Sequence, residues 1–290
     1  MNILRYDFMQ NALLAGLIVS VICGALGPLI VARRMVFVTD GISHTAFGGL
    51  GIAYWMASLW GLSFSPLWGA LIWALLAAVG IAVFQRERKQ TNDLIIGIIW
   101  VLGMAIGAIF IRFTPGYAPD LMTFLFGSIL LISRHTIYFI AALGALIVAC
   151  VTVFHRGFVA ISSDEEFARV RGVPVRFLNL LLLLLTALAI ITMLYAVGVI
   201  LVIALVTIPV AMGMELVHDF KGLQWLSGLF SLVLVAIGLY LSYAINMPTG
   251  ASIVVVGAFM LGLVKLIKFV LTSKAVPAPA PATAEEALKP

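Results

Sequence analysis

Charge is scarce in this sequence. Of its 290 residues only 10% are Asp, Glu, Lys or Arg, 63% are hydrophobic, and the mean hydropathy is +1.20. A soluble domain carries about 25% charged residues, and 17 Lys or Arg with 12 Asp or Glu cannot clothe a water-exposed surface of this size. Cysteine is nearly absent as well. Cys23 and Cys150 lie far apart in apolar runs, which excludes a disulfide framework or a cysteine metal cluster and leaves both as small packing residues. There is no G-x-x-x-x-G-K-[ST] phosphate loop, and the dipeptide Gly-Lys does not occur. No segment between apolar runs is long enough for a nucleotide-binding domain, so if ATP drives this protein the ATPase is a separate chain. The N-terminal apolar run lacks a persuasive small-residue cleavage site and is read as a retained helix.

What is present in abundance is apolar sequence. Runs of about 20 apolar residues recur from end to end, the mark of a polytopic helical membrane protein. Outer-membrane barrels read instead as about ten-residue alternating segments. Hydropathy places spans at 11–32, 37–60, 67–84, 93–112, 136–154, 177–196, 198–217, 225–245 and 250–271. The stretch 121–133 is apolar but too short to cross and is expected to be re-entrant or interfacial. Almost no loop joins 177–196 to 198–217, so the expectation is an all-α bundle of 8–9 transmembrane helices. Residues 1–274 form that membrane domain. The last sixteen residues, 275–290 (AVPAPAPATAEEALKP), form a Pro/Ala tail expected to be disordered.

Positive charge orients the bundle. If the loop 85–92 (QRERKQTN) is cytoplasmic, alternation puts 33–36, 155–176, 218–224 and the C-terminus inside too. Fourteen Lys or Arg then lie inside and three outside (Arg5, Arg112, Arg134). The net charge of +5 therefore belongs to the membrane surface and anionic lipid rather than to nucleic acid.

Chemistry concentrates in residues 37–55 (FVTDGISHTAFGGLGIAYW). Asp40 and His44 are four apart, so on a helix they share a face about 6 Å apart along the axis. Counted from Arg34, Asp40 sits roughly 9 Å and His44 roughly 15 Å into a core about 30 Å thick. A carboxylate there costs on the order of 2.5–3.5 kcal/mol on insertion scales, and such residues face a bundle interior or a pathway. Ser43 adds a hydroxyl beside them, and Gly48, Gly49 and Gly51 admit another backbone. A carboxylate and an imidazole suit zinc, manganese or ferrous iron, but two ligands are too few for a tight site. A two-fold dimer would supply four. Spacing alone leaves three readings open: metal transit, a structural Asp–His pair, or a proton relay.

The loop 155–176 (HRGFVAISSDEEFARVRGVPVR) carries a short helix. Ser163 with Glu166 reads as a capping box, Asp164 and Glu165 suit the first turn, and Gly172 with Pro174 stops it. It is either a solvated connector or a docking helix for a cytoplasmic partner. Gly103-x-x-x-Gly107 reads as a helix contact, Pro209 as a kink, and the residues 246–250 (NMPTG) as an outside turn. Glu215 and His218 end the span 198–217, either as exit-path groups or as a solvated helix end. Asp120 and Tyr117 fall in an outside loop where a binding protein could dock.

Taken in order, the D-G-I-S-H box at 40–44, L-F-G-S-I-L at 125–130, the acidic loop helix ending at Gly172, the apolar run at 197–211 and M-P-T-G at 247–250 resemble the membrane permease of zinc/manganese/iron ABC importers. The resemblance covers roughly residues 10–270. It implies a type II ABC importer-like homodimeric permease in the cytoplasmic (inner) membrane of a prokaryote, bound by two ATPase subunits inside and fed outside by a metal-specific solute-binding protein. Such a protein is no enzyme itself and holds no permanent cofactor; the divalent metal is its substrate. The resemblance carries metal contact in the path to Asp40 and His44, and makes the loop helix the coupling helix, with Asp164, Glu165, Glu166, Ala168 and Gly172 at the ATPase. Met212, Gly213 and Met214 depart from the small Ala- and Thr-rich residues of relatives; the two thioethers, with Ser43 and Glu215, are candidates for the path. Three rivals remain at this point. They are a proton-coupled metal transporter, a siderophore or cobalamin permease, and a membrane-embedded enzyme, for which the other histidines (His135, His155, His218) sit too near loops to complete a site.

Overall fold

A helix long enough to cross a bilayer must satisfy its own backbone and match about 30 Å of hydrocarbon, and this requirement organises the computed structural model. It describes residues 7–60, 65–85, 92–115, 129 and 132–273. Eleven helices and no strand occur among the described residues. In chain order they are α1 (Asp7–Ala32), α2 (Val36–Trp60), α3 (Pro66–Gln85), α4 (Asn92–Phe113), α5 (Arg134–Val153), α6 (His155–Ser163), α7 (Glu165–Val170), α8 (Val175–Val197), α9 (Val199–Met214), α10 (Phe220–Ile245) and α11 (Thr249–Ser273).

Seven of them, α1, α3, α4, α5, α8, α10 and α11, are long and apolar enough to span. The two remaining long helices fall short for opposite reasons. At 16 residues α9 is apolar but reaches only about 24 Å. With 25 residues α2 has the length, but Asp40, His44, Ser43 and its glycines and threonines dilute its hydrophobicity. It tolerates them because α3 and α4 cover it, and its first four turns are mostly buried. The seven spans among the described residues, with the shorter apolar α9, make the chain a multi-pass membrane protein.

A single residue separates α8 from α9. Gly198 has φ +83, a conformation only glycine adopts at no steric cost, so the chain turns there without a loop. This is why hydropathy could not divide 177–217 cleanly. Pro209 sits inside α9 without ending it. The 246–250 turn forms as expected: Asn246 takes φ 58 after α10, and the Met247 N–H reaches the Ser242 carbonyl at 3.1 Å. That is the left-handed cap that closes many helices.

The GxxxG reading of α4 also holds. A Cβ on Gly103 would stand 2.7 Å from the Thr45 Cα, and one on Gly107 would meet the Phe47 carbonyl. Backbone thus lies on backbone between α2 and α4, as small residues allow in membranes. The basic loop residues Arg86, Arg88 and Lys89, the outside residues Tyr117 and Asp120, most of 121–133 and the tail 275–290 lie outside the described residues.

Candidate functional site

Asp40 and His44 lie on one face of α2, as their spacing requires. The His44 Nε2 is 3.3 Å from the Asp40 Oδ1, and both side chains are largely shielded, at 16% and 19% exposure. The two are in contact without the alignment of a hydrogen bond. Asp40 Oδ1 and His44 Nδ1 are both buried and without a hydrogen-bond partner. An unsatisfied polar atom in a low-dielectric interior is costly, and here two such atoms sit on neighbouring side chains.

What holds the imidazole was invisible in the sequence. Trp100 of α4 stacks on the His44 ring, with centroids 4.7 Å apart and planes 15° from parallel. Its own indole N–H points to the Met104 sulfur at 3.2 Å, and Phe37 meets it edge-on. Stacking occupies the ring's face and leaves its edge free. A metal ion binds imidazole in the ring plane, along a nitrogen lone pair, so the brace fixes the ligand without blocking it. The only advance signal was an aromatic residue two turns into a span.

The other expected site residues separate. Ser43 is fully buried and its hydroxyl donates back to the Thr39 carbonyl at 2.8 Å, a local bond common for Ser in helices. Met212 is fully buried in the apolar core, whereas Met214 is 52% exposed, so the two thioethers do not face a common space. Glu215 pairs with Lys268 of α11 at 2.7 Å. That hydrogen bond draws its carboxyl below the ordinary range. Among the described residues no three His, Cys, Asp or Glu converge on one point, so neither Glu215 nor any other described group of these types completes the Asp40–His44 pair.

The loop helix is real but capped differently from expectation. The N-cap of α7 is Asp164, not Ser163: its carboxylate accepts from the Phe167 N–H at 2.9 Å. Ser163 instead closes α6, donating to the Val159 carbonyl. The loop 155–176 holds two helices, and α6 consumes the serine that would have started the box. Gly172 has φ +78 beyond the last turn, the stop its position predicted.

Arg33, at the end of α1, locks α7 to the bundle. One guanidinium nitrogen donates to the Ile161 carbonyl at 2.7 Å; the other reaches Glu165 at 2.9 Å and Asn179 at 2.8 Å. Burial raises the Glu165 carboxyl, but Arg33, Asn179 and Arg169 outweigh it, and the net shift is downward from 4.5. A depressed carboxylate stabilises the fold above its unfolded value and loses that contribution as pH falls through the folded value. Arg33→Ala is therefore expected to cost about 1–2 kcal/mol at pH 7, the half-exposed carboxylate being discounted for solvent. Thermal unfolding in detergent checks this: the gap between variant and wild type should narrow below pH 4.5, and an unchanged gap refutes the role of Glu165.

With Glu165 engaged by Arg33 and Ala168 buried within the chain, the outward face of α7 is carried by Glu166, Phe167, Val170 and Arg171. Phe167 is 57% and Val170 87% exposed, and the Arg171 guanidinium lies 5.0 Å over the Phe167 ring. Neither apolar residue had been singled out.

The described residues thus form an all-helical membrane bundle with a braced carboxylate–imidazole pair on a covered helix and a short capped helix outside the spans, and the permease class is shown by the family. This chain belongs to the ABC 3 transport family, whose sequence profile matches residues 5–268. It is 40% identical over 255 residues to an uncharacterised membrane protein of Synechocystis sp., covering 88% of this chain and 89% of that one. It is 32% identical over 259 residues to the manganese transport system membrane protein of Listeria innocua, covering 89% and 90%. Among solved structures it is similar to PsaBC from Streptococcus pneumoniae in complex with Fab, with a TM-score of 0.78 at 29% identity, covering 98% of this chain and 96% of that one.

Proposed function

We propose that this chain forms the translocation path of an ABC importer for a divalent transition metal, and that Asp40 and His44 contact the ion in transit. The observation that carries this reading is the buried pair of unpartnered atoms, Asp40 Oδ1 and His44 Nδ1, on a membrane helix of an ABC 3 family protein. A structural Asp–His pair would satisfy itself with a well-aligned hydrogen bond. Of zinc, manganese and ferrous iron, manganese is favoured by the relative in Listeria innocua named for its transport and by the oxygen ligand.

One chain supplies two ligands where a metal of this kind takes four or more. The path accordingly lies between two copies of this chain, each contributing an Asp40–His44 pair about a two-fold axis. The ion arrives from an extracytoplasmic metal-binding solute-binding protein, which carries the high affinity; a tight site at the midplane would slow release. A separate dimeric ATPase powers the cycle from inside. The C-terminus lies on the cytoplasmic side of a prokaryotic inner membrane, in keeping with the fourteen inside Lys and Arg. A proton-coupled carrier would need no ATPase. Uptake of radioactive manganese, zinc and iron into cells expressing the chain with and without its ATPase tests the choice, and uptake independent of the ATPase overturns this reading.

The ATPase docks on α7. A six-residue helix that exposes a phenylalanine and a valine beyond the membrane spans presents apolar surface to water unless a partner covers it. Replacing both by aspartate (Phe167→Asp with Val170→Asp) is expected to reduce ATPase recovered in pull-down at least tenfold, with thermal stability near wild type because neither side chain is in the core. Full recovery of ATPase by that variant would move the docking surface elsewhere.

A further inference from the structure

A second binding feature lies away from α2 and α7. Where α5 ends and α10 begins, a recess of about 380 Å³ is lined by Thr152, Val153, His155, Arg156 and Lys221. Its polar walls are basic or neutral, with no carboxylate among the described residues that line it. The nearest acidic group in sequence, Asp219, is engaged in capping α10, accepting from the Gly222 N–H at 2.6 Å.

The wall is rigid by construction. The Gln224 amide nitrogen donates to the Ala25 carbonyl at 2.8 Å, which leaves the amide oxygen to accept from His155 Nε2 at 3.0 Å. His155 Nδ1 is turned away from that bond, and Phe220 buttresses the ring edge-on. Two exposed apolar side chains flank this fixed wall. Val153 is 75% exposed and Trp225 84% exposed, and Trp225 stands one turn beyond Lys221 on the same face of α10. Tryptophan at the end of a span is the usual anchor at headgroup depth.

We infer that this recess binds the phosphodiester headgroup of an anionic phospholipid, with Arg156 and Lys221 pairing to the phosphate and the acyl chains lying along Val153 and Trp225. A guanidinium and an ammonium that line one recess at the end of two helices, beside the exposed Val153 and Trp225, match an amphiphile that is negative at its head and apolar below. Free phosphate would use the two cations but has no use for Val153 and Trp225. The site is independent of Asp40 and His44, so its failure leaves the metal path untouched.

The test is native mass spectrometry of the full chain in detergent, titrated with phosphatidylglycerol, phosphatidylcholine or inorganic phosphate. Wild type is expected to retain phosphatidylglycerol over phosphatidylcholine. Arg156→Gln with Lys221→Gln should weaken phosphatidylglycerol at least tenfold and leave phosphatidylcholine unchanged. Arg176→Gln, an exposed cation at the start of α8, serves as the control and should change neither. The charge-keeping pair Arg156→Lys with Lys221→Arg should retain lipid, which separates lost charge from a damaged fold. Undiminished phosphatidylglycerol binding by the charge-removed variant overturns the site. Displacement of the lipid by low-millimolar inorganic phosphate would make it an anion site without lipid selectivity and overturn the proposed occupant.

Discussion

Asp40→Ala and His44→Ala are each expected to reduce metal uptake at least tenfold while the variant still assembles with the ATPase. The size follows from the ligand count. Groups that merely orient a metal ligand are worth about 10–100-fold in metal affinity, and these two residues are read as the ligands themselves. Assembly should survive because the pair joins no two helices: both residues lie on α2, their contact of 3.3 Å lacks hydrogen-bond alignment, and Asp40 Oδ1 and His44 Nδ1 make no hydrogen bond to another helix. Asp40 makes no aligned hydrogen bond with His44, so Asp40→Ala should melt near the wild-type temperature. A structural pair predicts the opposite combination, a drop in stability with uptake tracking the amount of folded protein. Asp40→Asn discriminates further, since it keeps the shape and removes the charge that attracts a cation. Metal uptake by radioisotope, alongside ATPase pull-down and a melting curve, reads all three quantities. Normal uptake by both alanine variants would make the pair structural, and the transit reading would fail although family membership stands.

Gly49→Leu is expected to prevent the folded protein from accumulating. A Cβ at Gly49 would run into the Gly69 carbonyl and the Trp73 Cβ of α3. These are backbone atoms or next to backbone, and they cannot swing away as the tip of a flexible side chain would. Overpacking a well-packed core costs about 1–3 kcal/mol, and a whole isobutyl group against backbone forces α2 and α3 apart instead. Because α2 carries Asp40 and His44, uptake and assembly should vanish together, the reverse of the pattern for the alanine variants. Gly80→Leu in α3 and Gly97→Leu in α4 provide the control, since nothing lies within 4 Å of a Cβ at either position. Monodispersity after detergent extraction checks the set. A stable, monodisperse Gly49→Leu protein would show that α2 does not approach α3 as closely as described.

The bundle was legible because the bilayer imposes one rule on every span. Length and continuous apolarity mark α1, α3, α4, α5, α8, α10 and α11 without reference to their neighbours. The α8–α9 boundary was less legible, because a glycine at φ +83 turns the chain without leaving a polar loop to read. The capping box failed for a similar local reason: Ser163 and Asp164 are both good caps, and only the presence of α6 decides which helix each one serves.

The candidate pair was read from four-residue spacing, which already dictates that Asp40 and His44 share a face. Spacing could not choose between an aligned hydrogen bond and two waiting ligands, because both put the residues on one face. What spacing also could not show is the packing of α4 against α2, which sets the Trp100 ring against the imidazole at 4.7 Å. Nothing in sequence links positions 44 and 100. The same holds for Arg33, whose partners Ile161, Glu165 and Asn179 lie more than a hundred residues away, and which turns Glu165 inward and so leaves Phe167 and Val170 on the face of α7. By itself the sequence determined what the solvent or the helix period decides: a membrane bundle and the Asp–His register. Only the tertiary structure decided which polar groups are satisfied and which are left open, because that depends on atoms brought together from distant helices.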